Sequence, residues 1–201
     1  MTSVSGPKVV DESAGNIFVG LCRLFASLLA VHRTKLGGRF HLVVMALQGL
    51  LRCLFEPYAK NVGSGAALAL PPWLQSSSRL LNDNHAAAYS RLLTAICDPT
   101  VSAVTRTKNR SRQELNDETK KARSIAGQHL QYLIMEFCQC QLRGRLTPEV
   151  RAALNPGLYA VFDAMNQEIM RTINSALDSS GRSIFKVLYD DYRRFGRWQG
   201  F

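Results

Sequence analysis

The chain has 201 residues, 46% of them hydrophobic, which is enough for one domain, or two small ones, with a substantial core. Its 25 Lys and Arg residues outnumber 15 Asp and Glu, and the net charge of +10 favours RNA, DNA or acidic protein surfaces as partners. Five cysteines without regular spacing exclude a disulfide framework and indicate reduced core thiols in the cytosol or nucleus.

The N-terminal part predicts two apolar helices. Residues 1–15 are interpreted as a flexible lead-in, and Asn16–Arg33 and Arg39–Phe55 follow as strongly apolar helices. The Gly37-Gly38 link between them favours an antiparallel helical hairpin.

The same region is the candidate for a membrane segment. Ile17–Val31 is shorter than the ~20 residues of a bilayer span and has Arg23 at its centre, so we expect a buried helix and no membrane partner. A membrane-associated hairpin over Ile17–Phe55 is the alternative, which solubility without detergent would exclude.

The middle of the chain alternates between loops and helices. Residues 57–82 are rich in Gly, Pro and Ser and predict a loop. A helix over His85–Cys97 follows, with N-cap candidates at residues 82–84, and ends at Asp98-Pro99. A basic loop is expected at 105–113, before the longest helix, Glu114–Gln141.

The C-terminal part predicts four shorter helices. Thr147 caps a helix over Glu149–Leu154, and further helices are predicted over residues 155–165, Gln167–Ala176 and Asp178–Phe195. The last helix carries an apolar stripe of Ile184, Phe185, Leu188, Tyr192 and Phe195.

No segment shows sustained period-two alternation, so no sheet is expected. The pattern predicts an all-α fold of about seven or eight helices, either an irregular helical-repeat (α-solenoid-like) domain or a helical bundle. A single domain over residues 16–198 accommodates all of these helices.

The basic part of the chain is the candidate for contact with RNA or an acidic partner. Between Thr100 and Arg151 there are ten Lys or Arg residues against five Asp or Glu. Two interpretations of the basic loop are open: it contacts phosphates, or it is only solvated. The absence of aromatic residues from Thr100 to Arg123 argues against base stacking. The candidate residues are Arg106, Lys108, Arg110, Arg112, Lys120, Lys121 and Arg123.

The basic and aromatic C-terminus is the candidate for protein docking, because Arg, Trp and Tyr are enriched in interface hot spots. The candidates are Arg193, Arg194, Arg197 and Trp198, whereas Tyr192 and Phe195 are assigned to the domain's own core.

Catalytic, cofactor and metal sites are not expected. Cys138 and Cys140 on one helix would point about 200° apart, and the four histidines are scattered. No Gly-rich phosphate loop is present, so neither an enzyme nor a small-molecule substrate is predicted.

Three stretches, in this order, resemble one protein family: Arg91–Thr94 with Cys97–Val101, Pro148–Tyr159, and Leu177–Gly196. They are similar to the C-terminal domain of the nucleolar pre-ribosomal-associated protein 2 family, also called unhealthy ribosome biogenesis protein 2, in its fungal form. The likeness covers roughly Asn16 to Trp198. It implies a non-enzymatic scaffold in the nucleolus, acting in early assembly of the large ribosomal subunit and in pre-rRNA processing.

The same resemblance implies partners: a second large nucleolar scaffold protein and a DEAD-box RNA helicase. Pre-rRNA is a further candidate partner, and the sequence leaves open whether the chain contacts RNA directly. A direct RNA-binding helical module is the alternative function. Whether the chain is a fragment of a larger protein or stands alone is left open by the sequence.

Overall fold

The computed structural model describes residues 8–58, 68, 70–75, 81–98 and 112–196, with 8–12, 34, 37, 75 and 112–119 described by their backbone alone. These residues form eight α-helices, which confirms the all-α prediction of about seven or eight helices. The elements are α1 (Lys8–His32), a 3₁₀ segment (Arg33–Arg39), α2 (Phe40–Cys53), β1 (Glu56–Pro57), α3 (Pro72–Gln75), α4 (Asp83–Cys97), α5 (Arg112–Arg143), β2 (Gly144–Arg145), α6 (Pro148–Asp163), α7 (Gln167–Ala176), α8 (Ser179–Asp191) and a π-helical turn (Tyr192–Gly196).

Side-chain caps fix the start of several helices. The Asn82 side chain accepts from the backbone N–H of Asn84 at 3.1 Å, and His85 Nδ1 in turn accepts from the Asn82 backbone N–H at 3.1 Å. The side chains of Thr147 and Asn166 accept from the backbone N–H groups of Val150 and Ile169 at the starts of α6 and α7. These caps satisfy backbone donors that have no partner within the first turn of a helix.

The helices stack in two columns. In the first column α1 packs on α4, and α4 forms the most extensive interface of the domain with α6. In the second column α2 packs on α5, and α5 packs on α8 and α7. Both α4 and α6 also contact α5, which joins the columns.

The core lies between the columns. Tyr89 on α4 is fully buried, and its hydroxyl donates to the backbone carbonyl of Leu47 on α2 at 2.7 Å. Its ring lies 6.4 Å from that of Phe18 on α1, so one side chain holds three helices together. A buried tyrosine hydroxyl needs such a partner, because leaving it unpaired costs about 1–3 kcal/mol.

α1 and α2 do not form the predicted hairpin, because each packs chiefly on a later helix. The guanidinium of Arg33, which follows α1, donates from Nη1 to the carbonyl of Ile96 at 2.9 Å and from Nη2 to that of Ala95. These carbonyls belong to the last turn of α4, where helical acceptors lack partners. Burial lowers the pKa of Arg33. Arg33 therefore fixes the end of α1 beside α4.

Three other predicted boundaries were wrong. α1 begins at Lys8 rather than Asn16. α5 begins at Arg112, inside the predicted basic loop. The two helices predicted on either side of Asn155 are one helix, α6, with Pro156 in its interior.

A small sheet corrects the prediction that no strand is present. β1 and β2 pair in an antiparallel arrangement, with Glu56 opposite Arg145 and Pro57 opposite Gly144, and Glu56 and Arg145 form an ion pair. A Cβ on Gly144 would lie 2.7 Å from the carbonyl oxygen of Glu56, so only glycine allows this approach. The two short strands join the ends of α2 and α5.

α1 is apolar enough to bear on the membrane question. Within the described ranges it contains one stretch, Ser13–His32, whose 20 residues and mean hydropathy of 1.8 would allow it to cross a bilayer. The expectation that the apolar run of α1 is too short to span a bilayer was therefore wrong. Core helices of soluble proteins, which are mostly buried, pass the same test, but only 28% of this stretch is buried. Its buried residues include Phe18 and Leu29, which lie on one side of α1 and are 0% and 1% exposed.

Candidate protein and nucleic-acid interfaces

The structure covers part of the predicted basic surface. Arg106, Lys108 and Arg110 lie outside the described residues, and Arg112 is the first residue of α5, described by its backbone alone. Lys120, Lys121 and Arg123 lie on the N-terminal half of α5 and are exposed.

One of these three cations has an acidic neighbour. Arg123 Nη2 lies 3.5 Å from a carboxylate oxygen of Asp98, at the end of α4, and both side chains are partly exposed. No ion pair joins Lys120 or Lys121 to another residue within the described ranges. The exposed cationic surface on α5 is therefore carried chiefly by the two lysines.

The second candidate surface is built on α8, whose first turn is capped by a side chain. Asp178 accepts from the backbone N–H of Gly181 at 2.8 Å. A Cβ on Gly181 would lie 2.8 Å from the same carboxylate oxygen, so glycine allows the close cap. Phe185 and Leu188 are buried at 7% and 5% exposure, as the stripe predicted, whereas Ile184 and Tyr192 are only half-buried.

A cluster of aromatic rings fixes the end of α8. Phe162 on α6 lies at the centre of the cluster, 5.1 Å from the ring of Tyr192 and 6.2 Å from that of Phe185. The Tyr192 hydroxyl donates to the carboxylate of Asp163 at 2.6 Å. Burial, and then the nearby Asp191 carboxylate, raise the pKa of Tyr159, which also belongs to the cluster. The ring cluster therefore consists of Tyr159, Phe162, Phe185, Tyr189 and Tyr192.

The chain leaves this cluster through the π-turn, which exposes Arg193, Arg194 and Phe195. Phe195 is 64% exposed, so its assignment to the core stripe was wrong. A π-turn bonds each residue to the fifth along the chain and so advances by a smaller angle per residue, which carries Phe195 away from the stripe. Arg197 and Trp198 lie outside the described residues.

The glycine at the end of the turn is required by packing. A Cβ on Gly196 would lie 2.5 Å from Cδ2 of the Tyr192 ring and 3.2 Å from the Tyr159 ring. The chain therefore passes directly over the ring cluster, and Arg193, Arg194 and Phe195 project from a fixed support. We call these three residues the C-terminal patch.

The cysteines have the environment of structural thiols. All five are buried and free, and burial raises the pKa of Cys22, Cys53, Cys97 and Cys138 to about 12. At neutral pH such thiols are protonated and poor nucleophiles. In the part of the chain that the structure describes, no three His, Cys, Asp or Glu side chains are grouped as metal ligands.

Comparison with known proteins gives the family. The family model described as Urb2/Npa2 matches residues 1–201, the full length of the sequence. The chain belongs to the Urb2/Npa2 family.

A curated member of the Urb2/Npa2 family is also similar to the chain. It is the protein named "Probable nucleolar pre-ribosomal-associated protein 2" of Schizosaccharomyces pombe, 21% identical over 183 residues. The match covers 91% of this chain and 13% of that protein, so the chain spans about an eighth of its relative's length. No solved structure matches the chain.

Proposed function

We propose that this chain is a non-catalytic docking module that acts in the assembly of the large ribosomal subunit, in the nucleolus. Membership of the Urb2/Npa2 family supports a role in ribosome biogenesis, and the name of the S. pombe relative supports association with pre-ribosomes and a nucleolar location. The partners are assembly factors, among them a large nucleolar scaffold protein and a DEAD-box RNA helicase. The proposed role is scaffolding rather than catalysis.

The C-terminal patch is the observation that carries this proposal. The ring cluster supports an exposed phenylalanine and two exposed arginines on a fixed turn. A turn that is already fixed loses little backbone conformational entropy on binding, and Arg and aromatic residues are enriched among interface anchors. Arg197 and Trp198, which follow directly in the sequence, are proposed as docking residues together with the patch.

The proposal is tested by replacing the patch in the tagged chain and measuring recovery of assembly factors by crosslinking and mass spectrometry. Arg193→Ser, Arg194→Ser and Phe195→Ser together should reduce recovery at least about fivefold, since anchor residues contribute more than about 1 kcal/mol each. The melting temperature should stay unchanged because all three side chains are exposed.

The double variant Arg171→Ser with Arg182→Ser is the matched control. Arg171 on α7 and Arg182 on α8 are both exposed and lie outside the C-terminal patch. Equal recovery with the patch variant and this control would show that docking occurs elsewhere. Recovery of proteins unrelated to ribosome assembly would contradict the functional class itself.

Direct RNA binding is the second candidate, favoured by the exposed cations Lys120, Lys121 and Arg123 on one helix. Contact with phosphates releases counterions, so affinity should fall steeply with salt. Replacing all three with Ser should make the slope of log affinity against log salt shallower by about 2 for structured RNA, relative to the Arg171 and Arg182 control. An unchanged slope would show that these residues are only solvated and do not contact phosphates.

A further inference from the structure

One side of α5 carries a line of polar and aromatic side chains. Eleven residues are close to three helical turns, so Lys121, Tyr132 and Arg143 lie on one line along the helix. Gln128 and Gln139 follow Lys121 and Tyr132 by seven residues and lie on the same face. At 1.5 Å per residue, the line from Lys121 to Arg143 is about 33 Å long. We call these five residues the α5 stripe.

The α5 stripe faces solvent. Its four polar members are exposed or half-buried, and Tyr132 at its centre is 53% exposed. In the described part of the chain the Tyr132 ring is not paired with another aromatic ring. Gln48 of α2 donates from Nε2 to the backbone carbonyl of Tyr132 at 3.0 Å. The backbone that carries this exposed ring is therefore held against α2.

The charge on this part of α5 is positive. Between Lys120 and Arg143 the helix has four Lys or Arg residues and a single acid, Glu136. Arg52 Nε of α2 lies 2.6 Å from the Glu136 carboxylate, so this acid is already compensated by an ion pair. Within the described ranges no ion pair joins Lys121 or Arg143 to another residue. A polyanion would therefore meet an uncompensated cation at each end of the stripe.

We propose that the α5 stripe binds single-stranded RNA, with a base stacked on the Tyr132 ring and with phosphates bound by Lys121 and Arg143. Every base has a π-face, and sites for single strands combine cations with exposed rings. The amides of Gln128 and Gln139 can each donate to and accept from a base edge or a ribose hydroxyl. This proposal rests on the second candidate function, direct RNA binding, and adds the class of RNA and the residue that stacks on a base.

Single-stranded RNA fits this face better than an acidic protein or an RNA duplex does. The centre of a protein interface is depleted in charged residues, and in lysine in particular, whereas the stripe is polar along most of its length. A duplex keeps its bases stacked on one another, so it offers none to Tyr132 along its length. The basic residues from Arg106 to Arg123 lack an aromatic neighbour in the sequence, but α5 supplies one on the face of Lys121.

The test compares one RNA in two forms: a fluorescently labelled strand of about 12 nucleotides and the duplex that it forms with its complement. This length lies within the roughly 4–16 nucleotides of single-strand sites. Fluorescence anisotropy with the full chain at low salt measures both affinities. Tyr132→Ala should weaken binding of the single strand at least about fivefold, the lower end of what stacking on an aromatic side chain contributes. The same variant should bind the duplex as the unaltered chain does.

Further variants separate stacking from charge. Tyr132→Phe keeps the ring and should bind the single strand as the unaltered chain does. Lys121→Ser with Arg143→Ser should make the slope of log affinity against log salt shallower by about 1.4, since each phosphate contact of a single strand contributes about 0.7, whereas Tyr132→Ala should leave the slope unchanged. Phe195→Ala, which removes an exposed ring outside the stripe, is the matched control and should change neither affinity. All of these side chains are exposed, so each variant should fold.

Unchanged single-strand binding by Tyr132→Ala would overturn the proposal, as would equal weakening of single-strand and duplex binding. If Tyr132→Ala has no effect while replacing Lys120, Lys121 and Arg123 makes the salt slope shallower, direct RNA binding stands without a stacked base. If the unaltered chain binds neither form of the RNA at low salt, direct RNA binding fails as well. Displacement of the strand by poly-L-glutamate at equal charge concentration would assign the stripe to an acidic protein instead.

Discussion

Phe185 shows at the scale of one residue how α8 is held. It is 7% exposed, its ring stacks on that of Tyr189 at 6.2 Å, and it also contacts Phe162 on α6. Removing the ring would leave a cavity that the rigid neighbouring rings cannot fill. We therefore expect Phe185→Ala to lower the free energy of unfolding by about 3–5 kcal/mol in chemical denaturation.

The neighbouring residue provides the control for this prediction. Lys186 is exposed on the same turn of α8, and Lys186→Ala should change the free energy of unfolding by less than about 0.5 kcal/mol. A loss below about 1 kcal/mol for Phe185→Ala would mean that the rings rearrange to close the cavity, and that the π-turn does not rest on a rigid support.

At the scale of elements, the sequence predicts those helix starts that are determined by a side-chain cap. The caps Thr147, Asn166 and Asp178 each bond to a backbone N–H three residues ahead, so their helices could be located from the sequence. The resemblance to the family, carried by short stretches in order, is likewise confirmed.

Boundaries set by tertiary packing could not be read locally. Pro156 should interrupt a helix because its ring clashes with the preceding turn and it lacks an N–H. However, Leu154 and Leu158 on either side of it are fully buried, and a Cβ on Gly157 would lie 2.7 Å from Cα of Ser90. The close approach of α4 and α6 therefore stabilises a continuous helix in spite of the proline.

The residues of the candidate interfaces also divide into those that the sequence could place and those that depend on tertiary packing. The exposed cations of α5 and the Arg193-Arg194 pair follow from composition, because charged side chains remain at the surface. Phe195 could not be placed, since its exposure depends on the π-turn over the ring cluster.

At the scale of the whole molecule, α1 and α2 form the outer layer of the two columns. Between Ser13 and Phe55 the sequence has five Lys or Arg residues and no Asp or Glu. Their outward sides are apolar: Ile17, Leu24 and Val31 on α1 recur every seven residues and are 43%, 58% and 71% exposed, and Leu42 and Met45 on α2 are 54% and 63% exposed. Exposed apolar patches of this kind promote association.

We predict that the isolated chain self-associates through this outer layer at high protein concentration, and that Leu24→Glu with Met45→Glu abolishes the association in light scattering. Since both side chains are more than half exposed, the double variant should keep its melting temperature within a few degrees. Leu29→Glu is the contrasting control, because Leu29 is 1% exposed and an unpaired buried charge should unfold the domain. If the double variant associates as strongly as the unaltered chain, the self-association surface lies elsewhere. If the unaltered chain floats with phosphatidylcholine vesicles, the outer layer binds a membrane instead.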